Sequence, residues 1–184
     1  MLHLAWTLPK DEVRQMVLTV CRHLRQHCHR PRPCIVLDID DTVLTCRNHR
    51  IHRNEPLYFI YRYALKHHIE VFFVTARRHS FAAQLWTRQQ LSLLGYDEYH
   101  GLTLMPRKFV VQRTAAHYKN LVRSTLVRQG RTLLLNAGDQ WSDLMVLRAP
   151  GSAPRECPSP HRHYGIVDAT TLLVKLPNHR YVVP

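Results

Sequence analysis

Four short apolar runs, each set between stretches of helical spacing, constrain this chain more than any other feature. They are "CIVLD" at 34–38, "EVFFVT" at 70–75, "LTLM" at 102–105 and "TLLLNA" at 132–137, with "YGIVDA" at 164–169 as a candidate fifth. A strand with one wet face alternates apolar and polar residues, whereas these runs are apolar on both sides, as strands covered on two faces are. Residues 11–29 carry Val13, Met16, Val17, Val20 and Leu24 at helical spacing, and "RPRP" at 30–33 stops the pattern. Helices are also expected over 56–68, 80–94 and about 112–129: Pro56 suits a first turn, Ser80 an N-cap, and Gly95 and Gly130 the closing positions. The alternation predicts an α/β fold with a mostly parallel central sheet between two helical layers. Ligands of such folds bind beyond the carboxyl ends of the strands, where Asp38, Thr75 and Asp139 fall.

The acids are placed unevenly. The chain has 13 Asp and Glu against 26 Lys and Arg, yet five of those acids occur in "DIDD" (38–41) and "GDQWSD" (138–143). A carboxylate ending a buried strand is costly unless it is paired, hydrogen-bonded or metal-bound. Asp38, Asp40, Asp139 and Asp143 therefore form a candidate oxygen-ligand set for a hard divalent cation such as Mg²⁺, which takes few carboxylates plus water and phosphate oxygens. The competing reading is that these acids cap neighbouring helices, which is weaker for the two stretches together than for either alone. Thr75 in "FFVTARR" can hold a phosphoryl oxygen with its hydroxyl and the following amides, although a threonine at a strand end is more often a turn former. Arg77 can grip a phosphate with two hydrogen bonds. Lys119 is one of five lysines, and a lone helical lysine is ordinarily a solvated charge.

Taken in order, D-x-D-D-T after the first strand, Thr75, Lys119 and G-D-x-x-x-D resemble the haloacid dehalogenase (HAD) phosphatase superfamily. "DIDDTVL" with "FFVTAR" resembles the bacterial class B acid phosphatases, and "GDQWSDL" with the late "VKLPNHRYVVP" the plant vegetative-storage acid phosphatases, which together are HAD subfamily IIIB. The resemblance runs from about Cys34 to Tyr181. It implies a Rossmann-like three-layer sandwich and a phosphomonoesterase in which Asp38 attacks phosphorus to form an aspartyl-phosphate. Asp40 would protonate the leaving oxygen and then activate water. Thr75 and Lys119 would stabilise the transferring phosphoryl group, with Ala76 and Arg77 beside them as substrate-binding positions. Mg²⁺ would be held by Asp38, the Asp40 main-chain carbonyl, Asp139 and Asp143.

The same reading sets expectations for the whole chain. Residues 1–184 are expected to form one domain, with 1–33 an N-terminal helix and linker and 34–184 the catalytic core. The span between Thr42 and Thr75 holds a flap and a helix but no large cap, so the site would admit bulky substrates. The flap stretch "CRNHRIHRNEP" (46–56) is either an exposed loop or a guide for anions. A formal charge of +13 favours a polyanionic phosphorylated substrate: a nucleotide, a nucleic-acid end or a phosphoprotein. Five cysteines without a paired framework, an opening unlike a secretory signal and no apolar run of roughly 20 residues point to a cytoplasmic or nuclear protein without membrane insertion. "HCHR" at 27–30 is read as a helix end in preference to a metal site. A non-enzymatic alternative keeps the fold and uses the basic surface on nucleic acid or a protein partner. Intact Asp38 and Asp40 argue against it. A receiver-type signalling domain is disfavoured because there the acidic pair precedes the phosphorylated strand, whereas here D-x-D comes first.

Overall fold

The middle of the sheet is set by β1 (Pro33–Leu37), whose residues 34–37 are all buried. The structure, a computed structural model, describes residues 10–47, 50–111, 115–144, 164–166 and 170–176. Around β1 are α1 (Lys10–His27), the strands β2 (Leu44–Arg47) and β3 (Arg50–Arg53), α2 (Glu55–Lys66), β4 (Glu70–Arg78) and α3 (Phe81–Leu93). Then follow β5 (Gly101–Met105), α4 (Arg107–Val111), α5 (Ala115–Arg128), β6 (Thr132–Gly138), α6 (Trp141–Leu144), β7 (Tyr164–Ile166) and β8 (Leu172–Lys175). The sheet order is β5-β4-β1-β6-β8-β7, and every pairing is parallel except β7 with β8.

Successive residues of each central strand serve opposite faces. Ile35, Leu37, Val71 and Phe73 pack with α1 (Met16, Val20, Leu24) and α2 (Leu57, Ile60, Ala64). Cys34, Val36, Phe72 and Val74 pack with Phe109 of α4 and Tyr118 and Leu126 of α5. These are the three layers expected from the two-sided apolar runs. At roughly 25 cal/mol per Å² of apolar surface, this double burial outweighs the modest preferences of individual residues for strand or helix.

The chain leaves β1 for β4 and β5 on one side and returns to β6 on the other. The strand order therefore reverses between β1 and β6, opening a crevice at their carboxyl ends. Asp38 lies there, its N–H donating to the Ala137 carbonyl at 3.0 Å. Beyond Asp38 the chain turns sharply: the Ile39 carbonyl accepts N–H groups from Thr42, Val43 and Leu44 at 3.0–3.2 Å, and Asp41 takes φ +54°, a left-handed conformation that aspartate tolerates.

Among the described residues, the β2–β3 hairpin and α2 are the elements between β1 and β4, and they form no large cap domain. The hairpin replaces the loop reading of 46–56; its base is held by Asn54, which donates through Nδ2 to the Thr42 carbonyl at 2.7 Å and caps α2. At the carboxyl end of the chain, "YGIVDA" had been the candidate fifth strand. Residues 164–166 do form a strand, β7, at the antiparallel edge of the sheet, and the fifth parallel strand is β8, which the sequence reading did not offer. Period alone does not separate two neighbouring short apolar runs, and it is "LLVK" that pairs with β6. Residues 167–169, the Pro- and Ser-rich stretch 149–163 and Cys157 lie outside the described residues. Among the described residues no helix is long and apolar enough to cross a membrane, and Cys21, Cys28 and Cys34 are free thiols.

Candidate active site

Asp38, Asp139 and Asp143 converge from the ends of β1, β6 and the start of α6, with one carboxylate oxygen of each within 4.8 Å of the others. Each is at most 5 % exposed. Lys119, on α5 and equally buried, places Nζ 2.5 Å from Asp38 Oδ1 and also donates to Asp143 Oδ1. The Thr42 hydroxyl lies 3.0 Å from Asp38 Oδ2 and 3.4 Å from Asp139 Oδ1, tying the two strand ends together. Gln140 closes the turn after β6: its N–H reaches Asp143 Oδ2 at 2.9 Å and its side chain reaches Asp139 Oδ2 at 2.9 Å.

Gly138 explains the spacing of the last motif. A Cβ there would sit 2.3 Å from Asp143 Cβ, so any other residue would drive Asp143 off the strand end. Asn136, an amide inside an otherwise apolar strand, donates to the Asp143 main-chain oxygen at 2.6 Å. Arg123, one turn after Lys119, donates to the same oxygen.

Burial pushes the Asp38 carboxyl well above the usual carboxylate range; Lys119 opposes this, while Asp143 and Asp139 add to it as like charges. Burial works against the Lys119 ammonium, but Asp38 and Asp143 outweigh it and hold its pKa above the ordinary lysine value. Arg123 is pushed down by burial to about 10 and stays cationic at neutral pH. Lys175, at the end of β8, is also lowered by burial, with Asp139 and Asp143 opposing. Three carboxylates in one dry pocket, offering only oxygen donors, suit a hard divalent cation.

A second group lies outward of the first. Asp40, its side chain 45 % exposed, receives Arg77 Nε at 2.8 Å and Nη2 at 2.6 Å in a two-point ion pair. Arg77 is held from behind by Thr87 Oγ1 at 3.1 Å and Gln90 Oε1 at 2.6 Å, and its guanidinium lies 5.0 Å from the Trp86 ring centre. Thr75 is buried at the end of the central part of β4; its hydroxyl is 3.5 Å from Asp40 Oδ2 and accepts the Arg77 N–H at 3.2 Å. Ala76 is exposed between them.

The family model for the HAD superfamily, subfamily IIIB (acid phosphatase), matches residues 48–184, well over half of the chain. The chain belongs to this family. It is therefore a phosphatase, a hydrolase built on a Rossmann-like sheet. Comparison with curated proteins yields no significant match. The family match takes in Thr75, Lys119, Asp139 and Asp143 but begins after Asp38 and Asp40. Those two are joined to the rest of the phosphatase site by contact alone, through Lys119, Thr42 and Arg77.

The sequence reading missed several members of this site. Thr42 stood in "DIDDT" but was not singled out, and Arg123 was signalled only by its position four residues after Lys119. Asn136 was visible as one amide in an apolar run. Thr87 and Gln90 carried no signal, because helix 80–94 was read from its ends, Ser80 and Gly95, which do not say which face is inward, and these two polar residues face in. Arg77 was expected on substrate phosphate; here four of its N–H bonds are directed to Asp40, Thr87 and Gln90.

Proposed function

We propose that this phosphatase is a Mg²⁺-dependent phosphomonoesterase acting through an aspartyl-phosphate on Asp38, and that residues 1–184 work as one domain. The observation that carries the reading is Lys119 Nζ, buried and bonded to both Asp38 and Asp143 beside Asp139. A dry pocket that holds three carboxylates around an ammonium fits phosphoryl transfer, in which negative charge must be neutralised on the oxygens around phosphorus.

In this reading Asp38 attacks phosphorus, and the covalent ester divides one difficult displacement into two easier ones. Asp40, reachable from solvent, protonates the leaving oxygen and then takes a proton from the attacking water. Lys119 and the Thr75 hydroxyl stabilise charge on the phosphoryl oxygens, and the main chain at Ala76 borders the same space. Arg77 orients Asp40 in the resting site. Asp38, the Asp40 carbonyl, Asp139 and Asp143 would hold Mg²⁺, which when bound supplies Lewis-acid stabilisation of the phosphoryl charge. The substrate is phosphorylated and polyanionic, in keeping with the +13 charge and a site without a large cap.

Acid quenching during turnover of a ³²P-labelled ester tests the covalent step. The reading expects a hydroxylamine-labile phosphoprotein that Asp38→Asn abolishes. Turnover at full rate without any labelled protein, in wild type under rapid quench, would contradict it.

A further inference from the structure

Helix α3 anchors in the core through Leu91 but turns much of its remaining apolar surface outward. Its polar residues Thr87 and Gln90 are buried against Arg77, while Phe81 (84 % exposed), Leu85 (49 %), Trp86 (55 %) and Leu93 (79 %) face outward. At about 100° per residue, Phe81, Leu85, Trp86 and Leu93 share an arc of roughly 140° on the helix. The inward polar residues have a reason in Arg77. Of the outward apolar ones, Trp86 has its ring against the Arg77 guanidinium, and together with Phe81, Leu85 and Leu93 it gives this side of the helix an apolar face suited to a contact surface.

Its position and charge indicate the occupant. The helix starts just past the carboxyl end of β4, and Trp86 stands beside the Arg77 that grips Asp40, so a group leaving the site passes this face. No acid occurs between residues 76 and 96, whereas Arg78, His79 and Arg88 are exposed there. Exposed Arg50 on the hairpin adds a further cation to this surface. Flat rings interleaved with cations match an unpaired strand, whose bases stack and whose phosphates recur at every residue. The net charge of +13 opposes pairing two copies of the chain through this face.

We propose, resting on the phosphatase reading above, that the substrate is the phosphorylated end of a single-stranded nucleic acid. Its adjoining bases stack on Trp86 and Phe81, and its following phosphates meet Arg78 and Arg88. Asp38 forms a bond to the terminal phosphorus as the bond to the sugar oxygen breaks, and Asp40 gives that oxygen its proton. Water then attacks phosphorus, returns a proton to Asp40, and releases inorganic phosphate and free Asp38. The products are a hydroxyl-ended strand and phosphate.

The test compares short single-stranded oligonucleotides phosphorylated at the 5′ or 3′ end with the matching mononucleotides, a phosphopeptide and p-nitrophenyl phosphate. Wild type and Phe81→Ala/Arg88→Gln are assayed for turnover. Oligonucleotide binding is read separately by fluorescence anisotropy in the Asp38→Asn background. Both surface residues are exposed and outside the catalytic group, so p-nitrophenyl phosphate kinetics should stay within about two-fold. Oligonucleotide Kd and KM should rise about 10- to 100-fold, the range of a lost stacking contact and a lost charge. The slope of log binding constant against log salt should shrink by about 0.7 for the lost phosphate contact. Equal turnover of mononucleotide and oligonucleotide, or binding unaffected by the double variant, overturns the inference. A preference for the phosphopeptide that depends on Phe81 overturns it in favour of a protein substrate. Wild type that binds the oligonucleotide through this face but hydrolyses none of the esters overturns the phosphatase reading and leaves α3 as a nucleic-acid surface alone.

Discussion

The two halves of the site are built differently. The inner half, Asp38, Asp139, Asp143 and Lys119, is buried and cross-tied through Thr42, Gln140 and Asn136, with Gly138 leaving Asp143 no room to move toward the strand. The outer half, Asp40, Arg77 and Trp86, is open to solvent on one side and rests on helix α3 by way of Thr87 and Gln90. The contrast suits the role proposed for each half. Charge stabilisation gains strength where water is excluded and the partners cannot relax. Proton transfer to a variable leaving group needs access, so the residue that performs it must be oriented without being enclosed.

The contrast can be broken from the inside outward. Among substitutions that keep the Asp38 nucleophile, replacing Lys119 with Met should be the most damaging, because it leaves Asp38 and Asp143 facing each other without their shared ammonium; a loss of about 10³-fold in kcat/KM is expected from steady-state assays. Gly138→Ala should cost about 2–4 kcal/mol by displacing Asp143, seen as a lowered Tm together with roughly 100-fold weaker activity. An unchanged Tm would show that the inner half tolerates movement, contrary to this account. For the outer half, Gln90→Leu should lower kcat about 10-fold on an alkyl phosphate and less than 3-fold on p-nitrophenyl phosphate, with KM unchanged. The poor leaving group depends on a well-aimed Asp40, and the good one does not. Gln90→Glu, which retains the oxygen that accepts from Arg77, should recover most of the loss. Arg50→Gln on the hairpin should be mildest: KM for an anionic ester about two-fold higher at low salt, with the difference vanishing at high salt.

The same division governed what the sequence disclosed. Strands with both faces covered leave continuous apolar runs, so β1, β4, β5 and β6 could be read directly, and so could the aspartates at their ends. A carboxylate placed after such a run needs a partner, and that made the inner half legible. The outer half depends on contacts between distant segments. Nothing local in "TARR" says that Arg77 turns to Asp40 rather than outward, and nothing in "QLWTRQQ" says that Thr87 and Gln90 face in while Trp86 faces out. The β2–β3 hairpin was hidden for a related reason. Its strands have four residues each, the residues of β3 alternate between exposed and half-buried, and its position is fixed by Asn54 and Val43 more than by a core of its own.

The central claim is that Asp38, held by Lys119 and Thr42 in the inner half, is the group that attacks phosphorus. It is tested most directly by p-nitrophenyl phosphate hydrolysis with Mg²⁺, with EDTA, and with Asp38→Asn in parallel. The account predicts turnover that EDTA removes, that Mg²⁺ restores, and that Asp38→Asn reduces by about 10⁴-fold or more while the variant retains the wild-type Tm within a few degrees. Metal-dependent hydrolysis that survives in folded Asp38→Asn would contradict it.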